Sequence, residues 1–563
     1  MPALKFEHTI MLHLIIKSLL LIRPLKLALL AYWLIFNQFA TISHAEEMLV
    51  SEEADSVSAK EKNQLRLEEI VAEVRAADKA KNGYYVERKS YGTGKETDPP
   101  RYVKQANKTW LKHYNSFADT DWLDLGMEFR TRQEIRDNDF RRAAQNVDEP
   151  LLLRTRAYVG IKNILDPLRF AVEVQDSGRS FGDYTRQYDT RDVNQADILQ
   201  AFAELNFKQT FLGKDGLGND RSIWIRAGRH AWEAGDRRLV ARNEWRNTTN
   251  TFEGLRSNIG DKKNDWQLEL FAVKPVQRFT NSIDKADDSQ HFYGSIFNYR
   301  GWSDVVTFEP SYFLLKQDGS KVKFNSGGEV LTGSNATSAK IDREIHTAGL
   351  RAYGQIPKTQ WDFDASYLQQ WGHQQKDFNS TVFFDHDAHA YNAEIGYSFK
   401  HPWKPRLSAF YGVASGDKNN NDTSNQRFER LFGFARPWSN DDYIQMENIR
   451  SPKLRVEFEP NASFLDNIKV DTGFSWYHLD SAKDRWNAGA NLQDKTGASG
   501  KDLGKEYDLR VRFYINQYAS LNLGYAYFWA GDFVKTTSRQ IAGQSNRDAN
   551  SQFLYTELTV LGF

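Results

Sequence analysis

Ten arginines define the chemistry that this chain can carry. Arg130, Arg132, Arg154, Arg156, Arg226, Arg351, Arg406, Arg455, Arg510 and Arg512 each stand on the polar side of a stretch in which polar and apolar residues alternate. A guanidinium is a planar fork that meets a carboxylate at two points. Rings of such groups select anions in pores. The chemistry they suggest is therefore recognition of acidic solutes rather than bond-making. Carboxylates occupy matching positions: Asp124, Glu128, Glu173, Glu204, Asp362, Asp364, Glu394, Glu457, Asp471 and Asp508. Pairing within the protein and a net basic constriction both fit this pattern. A ladder of opposed charges with a few arginines left over would satisfy both.

The elements that hold these arginines are strands. Tyr507, Leu509, Val511, Phe513 and Ile515 alternate with Asp508, Arg510, Arg512 and Tyr514. A strand sends successive side chains to opposite faces, so one face here is apolar and the other charged. Leu125, Met127 and Phe129 oppose Glu128, Arg130 and Arg132 in the same way. Leu454, Val456 and Phe458 oppose Lys453, Arg455 and Glu457. A soluble sheet with one buried face fits the pattern, and so does a membrane barrel with an apolar exterior and a wet lumen. The connections separate the two readings. Strand candidates begin near residues 123, 150, 168, 196, 221, 250, 265, 291, 305, 345, 361, 389, 406, 452, 467, 506, 520 and 552. Short connections rich in Pro, Gly, Asn and Asp alternate with long polar ones such as 231–249, 372–388, 415–451 and 479–505, and 209–220 is intermediate. Short turns at one end and long loops at the other are the rhythm of an outer-membrane barrel. The expected class is all-β: an 18-stranded antiparallel transmembrane β-barrel over residues 121–563, preceded by a short helical periplasmic extension. The final Phe563 shares a face with Tyr555, Thr559 and Leu561, resembling the terminal recognition strand of outer-membrane proteins, with Glu557 out of place on that face.

Composition agrees. The 74 Lys and Arg balance 74 Asp and Glu, so no global field draws in nucleic acid. There is no cysteine, which excludes disulfides and thiolate metal sites. Mean hydropathy of -0.65 rules out a helical membrane bundle but not a barrel. Lys17, Arg23 and Lys26 flank an apolar run from Leu27 to Phe36, too short to span a bilayer, and Ser43-His44-Ala45 fits a cleavage site. Residues 1–45 thus read as a signal peptide, with Met11 as an expected start. Residues 46–120 read as a periplasmic extension, either solvated or docking another envelope component. Leu67, Ile70, Val71 and Val74 mark a short amphipathic helix in it, ended by Gly83.

Other chemistries find little support. The histidines are scattered and none sits in a serine motif, so a membrane-embedded hydrolase is not indicated. The loop from Ser415 to Asp422 has oxygen ligands but lacks the Gly and Glu of a helix-loop-helix calcium site. No cofactor, metal or catalytic residue is expected.

Two stretches carry a family resemblance. The first runs from Ile225 to Val240, with Gly228-Arg229-His230 and Gly235-Asp236-Arg237-Arg238-Leu239-Val240, then Trp245-Arg246 and Phe252-Glu253-Gly254-Leu255-Arg256. The second is Ala414-Ser-Gly-Asp417 followed by Arg427-Phe-Glu-Arg-Leu-Phe432. Together they resemble the alginate-export family of outer-membrane porins, whose pattern has Gln at His230, Asp at Glu253 and Pro at Gly433. The resemblance covers about residues 121–563. It implies an 18-stranded barrel and passive export of an anionic polyuronate through an arginine-lined pore. By motif position it adds Arg229 to Arg226 as a lining candidate, with Arg237, Arg238, Arg246 and Arg256 contributing from the loop or adjoining strand.

The expected function is a passive outer-membrane channel for an anionic oligo- or polysaccharide or organic acid, set among outer-membrane lipid. The proposed mechanism is facilitated diffusion, with loops such as 415–451 folding inward as a gate. The alternatives are a porin for another small organic or hydrophobic solute, a membrane-embedded hydrolase, and a structural or adhesive barrel with a plugged lumen.

Overall fold

The computed structural model describes residues 82–93, 97–141, 147–182, 190–339, 341–377, 380–539 and 550–563. The expected signal peptide and the expected amphipathic helix near residues 67–77 lie outside the described residues. Eighteen long strands are present among those described. In chain order the first nine are β1 Leu123–Asp137, β2 Leu151–Ile161, β3 Leu168–Ser180, β4 Asn194–Phe207, β5 Ile223–His230, β6 Phe252–Ile259, β7 Trp266–Gln277, β8 Gln290–Tyr299 and β9 Val306–Gln317. They continue as β10 Arg343–Gln355, β11 Trp361–Gln375, β12 Phe383–Ser398, β13 Arg406–Ala414, β14 Ile449–Phe458, β15 Asn467–His478, β16 Asp502–Asn516, β17 Ala519–Ala530 and β18 Ser551–Leu561. Each pairs antiparallel with its neighbour. The sheet closes where β1 lies between β2 and β18, from Glu128↔Leu561 to Asp137↔Gln552. Closure leaves no barrel edge to satisfy in lipid.

Alternation sets the two faces. Along β1, Asp124, Glu128, Arg130, Arg132, Glu134 and Arg136 are buried while Met127 and Phe129 are exposed. Aromatic side chains frame the outer surface at two heights. Trp361 packs on Tyr397 with ring centroids 4.9 Å apart at the turn end of β11. Trp371 stacks on His346 at 5.4 Å at the other end. Ten residues separate the two tryptophans, about 33 Å of strand at ~3.3 Å per residue. With a strand tilt of roughly 40° this spans about 25 Å, the height of an outer-membrane apolar band.

Short connections such as 162–167, 356–360 and 517–518 gather at one end, and long ones such as 231–251, 415–448 and 479–501 at the other. One expected long loop, 372–388, is only 376–382 here. His373, Gln374 and Gln375 continue the ladder opposite Asp385, Phe384 and Phe383. These polar residues lie beyond the apolar band, where alternation no longer marks a strand. Helix among the described residues is confined to short pieces, including Gly333–Ala339 and Asp532–Arg539.

The interior differs from a uniformly wet lumen. In its loop-end half, inward aromatic residues of the wall, among them Phe252, Phe292, Tyr477 and Phe528, pack against loop residues Trp232, Val240, Phe428, Trp438 and Trp486. The long loops have folded into the barrel and built an apolar core there. The expected inward folding of the 415–451 loop is thus observed.

The described part of the N-terminal extension is not simply solvated. The Tyr84 amide donates to the Lys263 carbonyl at a turn, and the chain then enters the turn-end half of the lumen. Ser90, Tyr91 and Thr93 are buried there. The chain returns through Asp98, and Val103–Gln105 pairs with β1 where β18 has ended. The terminal strand also departs from expectation. Tyr555 and Glu557 face the lumen, where Glu557 pairs with Arg132 at 3.2 Å, while Leu558 and Val560 are exposed on the outer face. Glu557 is therefore in place, and Phe563 stacks on Trp110 at 6.2 Å.

Candidate functional site: the arginine network of the lumen

The first cluster stands on β1 and β2. Arg130 donates to the Glu244 carbonyl at 2.9 Å, Arg132 to the Trp245 carbonyl at 2.7 Å and Arg154 to the Arg246 carbonyl at 3.1 Å. These acceptors belong to the infolded 231–251 loop. Arg156 binds the Glu244 carboxylate at 2.6 Å, and Arg154 binds Glu128 at 2.6 Å. Loop carbonyls that have left water must find donors, and this arginine comb supplies them. Partial loss of water works to raise the pKa of the half-exposed Glu244, but Arg156, Arg242 and Arg154 hold it well below the usual carboxylate range.

A second cluster lies toward the turn end. Arg351 binds Asp364 at 2.8 Å and Glu309 at 3.2 Å. Arg406 contacts Asp362 and Glu394, both at 2.7 Å, and Glu457 at 3.1 Å. Arg455 joins Asp471 at 2.8 Å and Asp508 at 2.9 Å. The tip of the N-terminal segment is seated on this cluster. Ser90 donates to Asp364, and the Tyr91 amide donates to Glu394 at 3.1 Å. The Tyr91 ring lies under the Arg455 guanidinium at 3.6 Å, and its hydroxyl meets Asn440 of the 415–448 loop at 3.2 Å. A segment from the turn end and a loop from the opposite end thus touch inside the barrel.

Arg510 and Arg512 stand toward the turn end of β16. Both bind Asp471, at 2.9 Å and 3.2 Å, and their side chains are 19% and 32% exposed. Arg455, Arg510 and Arg512 make their ion pairs with only two carboxylates, Asp471 and Asp508.

Arg226 faces Arg256 directly across the β5–β6 pair. A cavity of 660 Å³ opens beside them at the turn end, with Phe202, Trp224 and Trp232 in its wall. Two residues along, Gly228 faces Gly254, with φ of 129° and 152°. A Cβ at either would stand 2.3 Å from the Ala201 carbonyl oxygen or 2.4 Å from that of Ala272. The motif's glycines and arginines thus form one cross-strand unit. Arg229 does not belong to the lumen face. It lies three residues after Arg226, an odd spacing that turns it to the outer face with Ile225 and Ala227, and it pairs there with Glu253 at 3.1 Å.

The other motif residues join two loops. The Phe432 amide donates to the Leu239 carbonyl at 2.9 Å and the Ala241 amide to the Phe432 carbonyl at 3.2 Å. The proline expected after this region is replaced by Gly433 for a steric reason: a Cβ there would stand 1.7 Å from the Arg238 carbonyl oxygen. The family's model, described as alginate export, matches residues 121–548.

The chain belongs to the alginate export family.

As a member of that family with this architecture it is a passive channel of the bacterial outer membrane, its turns periplasmic and its loops outside. No curated protein matches this alginate-export chain. Among solved structures it is similar to the outer membrane protein OprD from Pseudomonas aeruginosa, at 11% identity and a TM-score of 0.46 over 78% of this chain and 93% of that one. It is also similar to OccAB1 from Acinetobacter baumannii, at 10% identity and a TM-score of 0.46 over 78% and 97%. OpdQ from Pseudomonas aeruginosa gives 14% identity and 0.45 over 78% and 98%.

Several members of the network escaped the sequence reading. Arg242, in the infolded loop, binds the fully buried Glu173 at 2.9 Å, and Tyr102 donates to the same carboxylate at 2.6 Å. Asp98 meets Arg226 at 2.9 Å and Arg256 at 3.4 Å. None of the three sits in an alternating stretch, so period gave no signal. In the 415–422 loop, the Asp417 amide donates to Asp484 at 2.9 Å. No group of His, Cys, Asp or Glu suited to a metal occurs among the described residues.

Proposed function

We propose that the channel carries an anionic solute, a polyuronate of the alginate type, by facilitated diffusion along the arginine-bearing wall. The observation that carries this reading is the sharing of two aspartates by three arginines, Arg455, Arg510 and Arg512, the last two partly open to the lumen. A solute carboxylate arriving there replaces lost water with charge-assisted bonds, while each arginine keeps its resident aspartate. Elsewhere along the wall, fixed carboxylates and loop carbonyls already occupy the candidate arginines, so binding stays weak enough for passage. Release of the infolded loops and of the N-terminal tip opens the path.

Two cavities of 350 Å³ and 340 Å³ at the loop end add a second, mixed surface, with Arg278 lining one and Asp287 and Lys323 the other. Both are walled by Pro275, Val276, Gln277 and Phe432. Such walls suit the ring faces of a sugar, or a small organic solute in the alternative reading.

Planar-bilayer recording in a salt gradient tests the anionic reading. The reversal potential is expected to show anion preference, reduced in Arg510→Gln/Arg512→Gln, and mannuronate oligomers should block the current. A cation preference unchanged by that double substitution would overturn it.

A further inference from the structure

We propose that Arg226 and Arg256 form a carboxylate-binding site in the turn-end cavity, occupied in this closed state by the chain's own Asp98. This rests on the reading above that the lumen carries acidic solutes.

Two arginines directly opposite on neighbouring strands repel each other, and Arg226↔Arg256 is such a pair. Each has one carboxylate partner on its neighbouring wall strand: Glu204 on β4 at 2.7 Å from Arg226, and Glu269 on β7 at 2.8 Å from Arg256. These flank the pair from outside and leave the space between the two guanidiniums without a wall carboxylate. Asp98 fills it, and a single oxygen, Oδ2, contacts both arginines. Asp98 differs from the flanking glutamates in being on no barrel strand. It belongs to the N-terminal segment, which reaches this point after its tip at Tyr91. The carboxylate that completes the site is therefore the one that can leave without disturbing the wall.

The surroundings fit a sugar acid. The 660 Å³ cavity lies within the range of roughly 300–1,000 Å³ typical of small-molecule sites. Phe202 and Trp224 lie against Arg226, at 3.8 Å and 5.0 Å from its guanidinium carbon, and Trp232 lies 4.9 Å from that of Arg256. These rings hold the guanidinium planes in place and leave apolar edges toward the cavity. Partial loss of water acts to raise the pKa of the Asp98 carboxylate, which stays 38% exposed, yet Arg226 and Arg256 bring it down to about 2, so the occupant is an anion at any physiological pH. A tethered carboxylate competes at an effective concentration in the millimolar range or above. Free uronate must displace it, and the wild-type site is accordingly weak until the segment moves.

The test is calorimetric titration of the detergent-solubilised full mature chain with sodium glucuronate. Asp98→Asn is expected to bind glucuronate at least ~10-fold more tightly than wild type, glucose should not bind, and Arg256→Gln in the Asp98→Asn background should remove the gain. No gain in Asp98→Asn, or a gain that survives Arg256→Gln, overturns the proposal. A wild-type measurement covers misfolding of the variants: glucuronate, and not glucose, should raise amide exchange over residues 97–105, and its failure to do so also overturns the proposal. Bilayer selectivity reports separately. An anion-selective channel without the gain leaves the function standing and removes the site; a cation-selective channel with the gain does the reverse.

Discussion

The Phe432 amide donates to the Leu239 carbonyl at 2.9 Å, joining two loops that enter the barrel from strands far apart around its wall. This bond lies between the two stretches that carry the family motifs. It makes the 231–251 and 415–448 loops one unit inside the lumen, backed by the apolar packing of Phe432 on Phe252 and Phe292.

Gly433→Ala should separate that unit. The new Cβ has the Arg238 carbonyl oxygen in its place, and relieving such overpacking costs about 1–3 kcal/mol. The barrel itself should still form, as judged by heat-modifiable migration on a gel. Single-channel current should become larger and noisier. A quiet trace identical to wild type would contradict this account of the loops.

Gly228→Ala and Gly254→Ala strike the wall instead. Both positions have φ that L side chains rarely adopt, and both meet a neighbouring strand's carbonyl. Backbone strain of roughly 1–3 kcal/mol adds to the clash at each. Expected is a marked loss of folded protein in outer-membrane fractions, larger than for Gly178→Ala, where a Cβ meets nothing within 4 Å. Equal yields would show that the strand pair relaxes freely.

Tyr91→Ala should release the N-terminal tip. A desolvated cation–π contact like that of Arg455 over Tyr91 is worth about 2 kcal/mol, a factor of ~30 in the seating equilibrium. Limited proteolysis from the periplasmic side should then cut near residues 84–93 faster, and mean conductance should rise. Tyr91→Phe should keep the ring contact and lose only the bond to Asn440, with a smaller effect.

Acid should loosen the return of the same segment. Asp98 faces Arg226 and Arg256, with Glu204, Glu269, His230 and Tyr158 around them. Its folded pKa, about 2, lies below the unfolded value of about 3.9. Its contribution is therefore fully present above pH ~4 and lost as pH falls through about 2. Amide exchange over residues 97–105 should be flat from pH 9 to 5 once corrected for intrinsic rates, and should rise between pH 4 and 2. Asp98→Asn should lack that rise; a rise of equal size in the variant would assign it to other carboxylates.

Arg242→Gln leaves the fully buried Glu173 with Tyr102 and Gln200 as partners but no cation bound to it. Removing one member of a buried pair costs about 3–5 kcal/mol. The urea midpoint in detergent should fall accordingly, and Arg242→Gln/Glu173→Gln should recover most of the loss. No recovery would show that Arg242 acts through Glu244 instead.

The barrel was legible in the sequence. A wall with lipid outside and protein inside imposes period two on every strand, and short turns against long loops repeat that imprint along the chain. The strand count and the inward side of Arg130, Arg154, Arg406 and Arg510 follow from it, while the family was carried by the two motif stretches at 225–256 and 414–432. Arg229 shows the limit of motif position, since an odd spacing reverses the face. What fills the lumen was decided only by the tertiary structure. Trp438, Tyr91, Asp98 and Arg242 lie in segments with no period, and their partners are wall residues up to hundreds of positions away. Local alternation records which medium a side chain meets, lipid or interior. It does not record which of many inward charges it will meet there, because that depends on where loops and the N-terminal segment come to rest in the closed barrel.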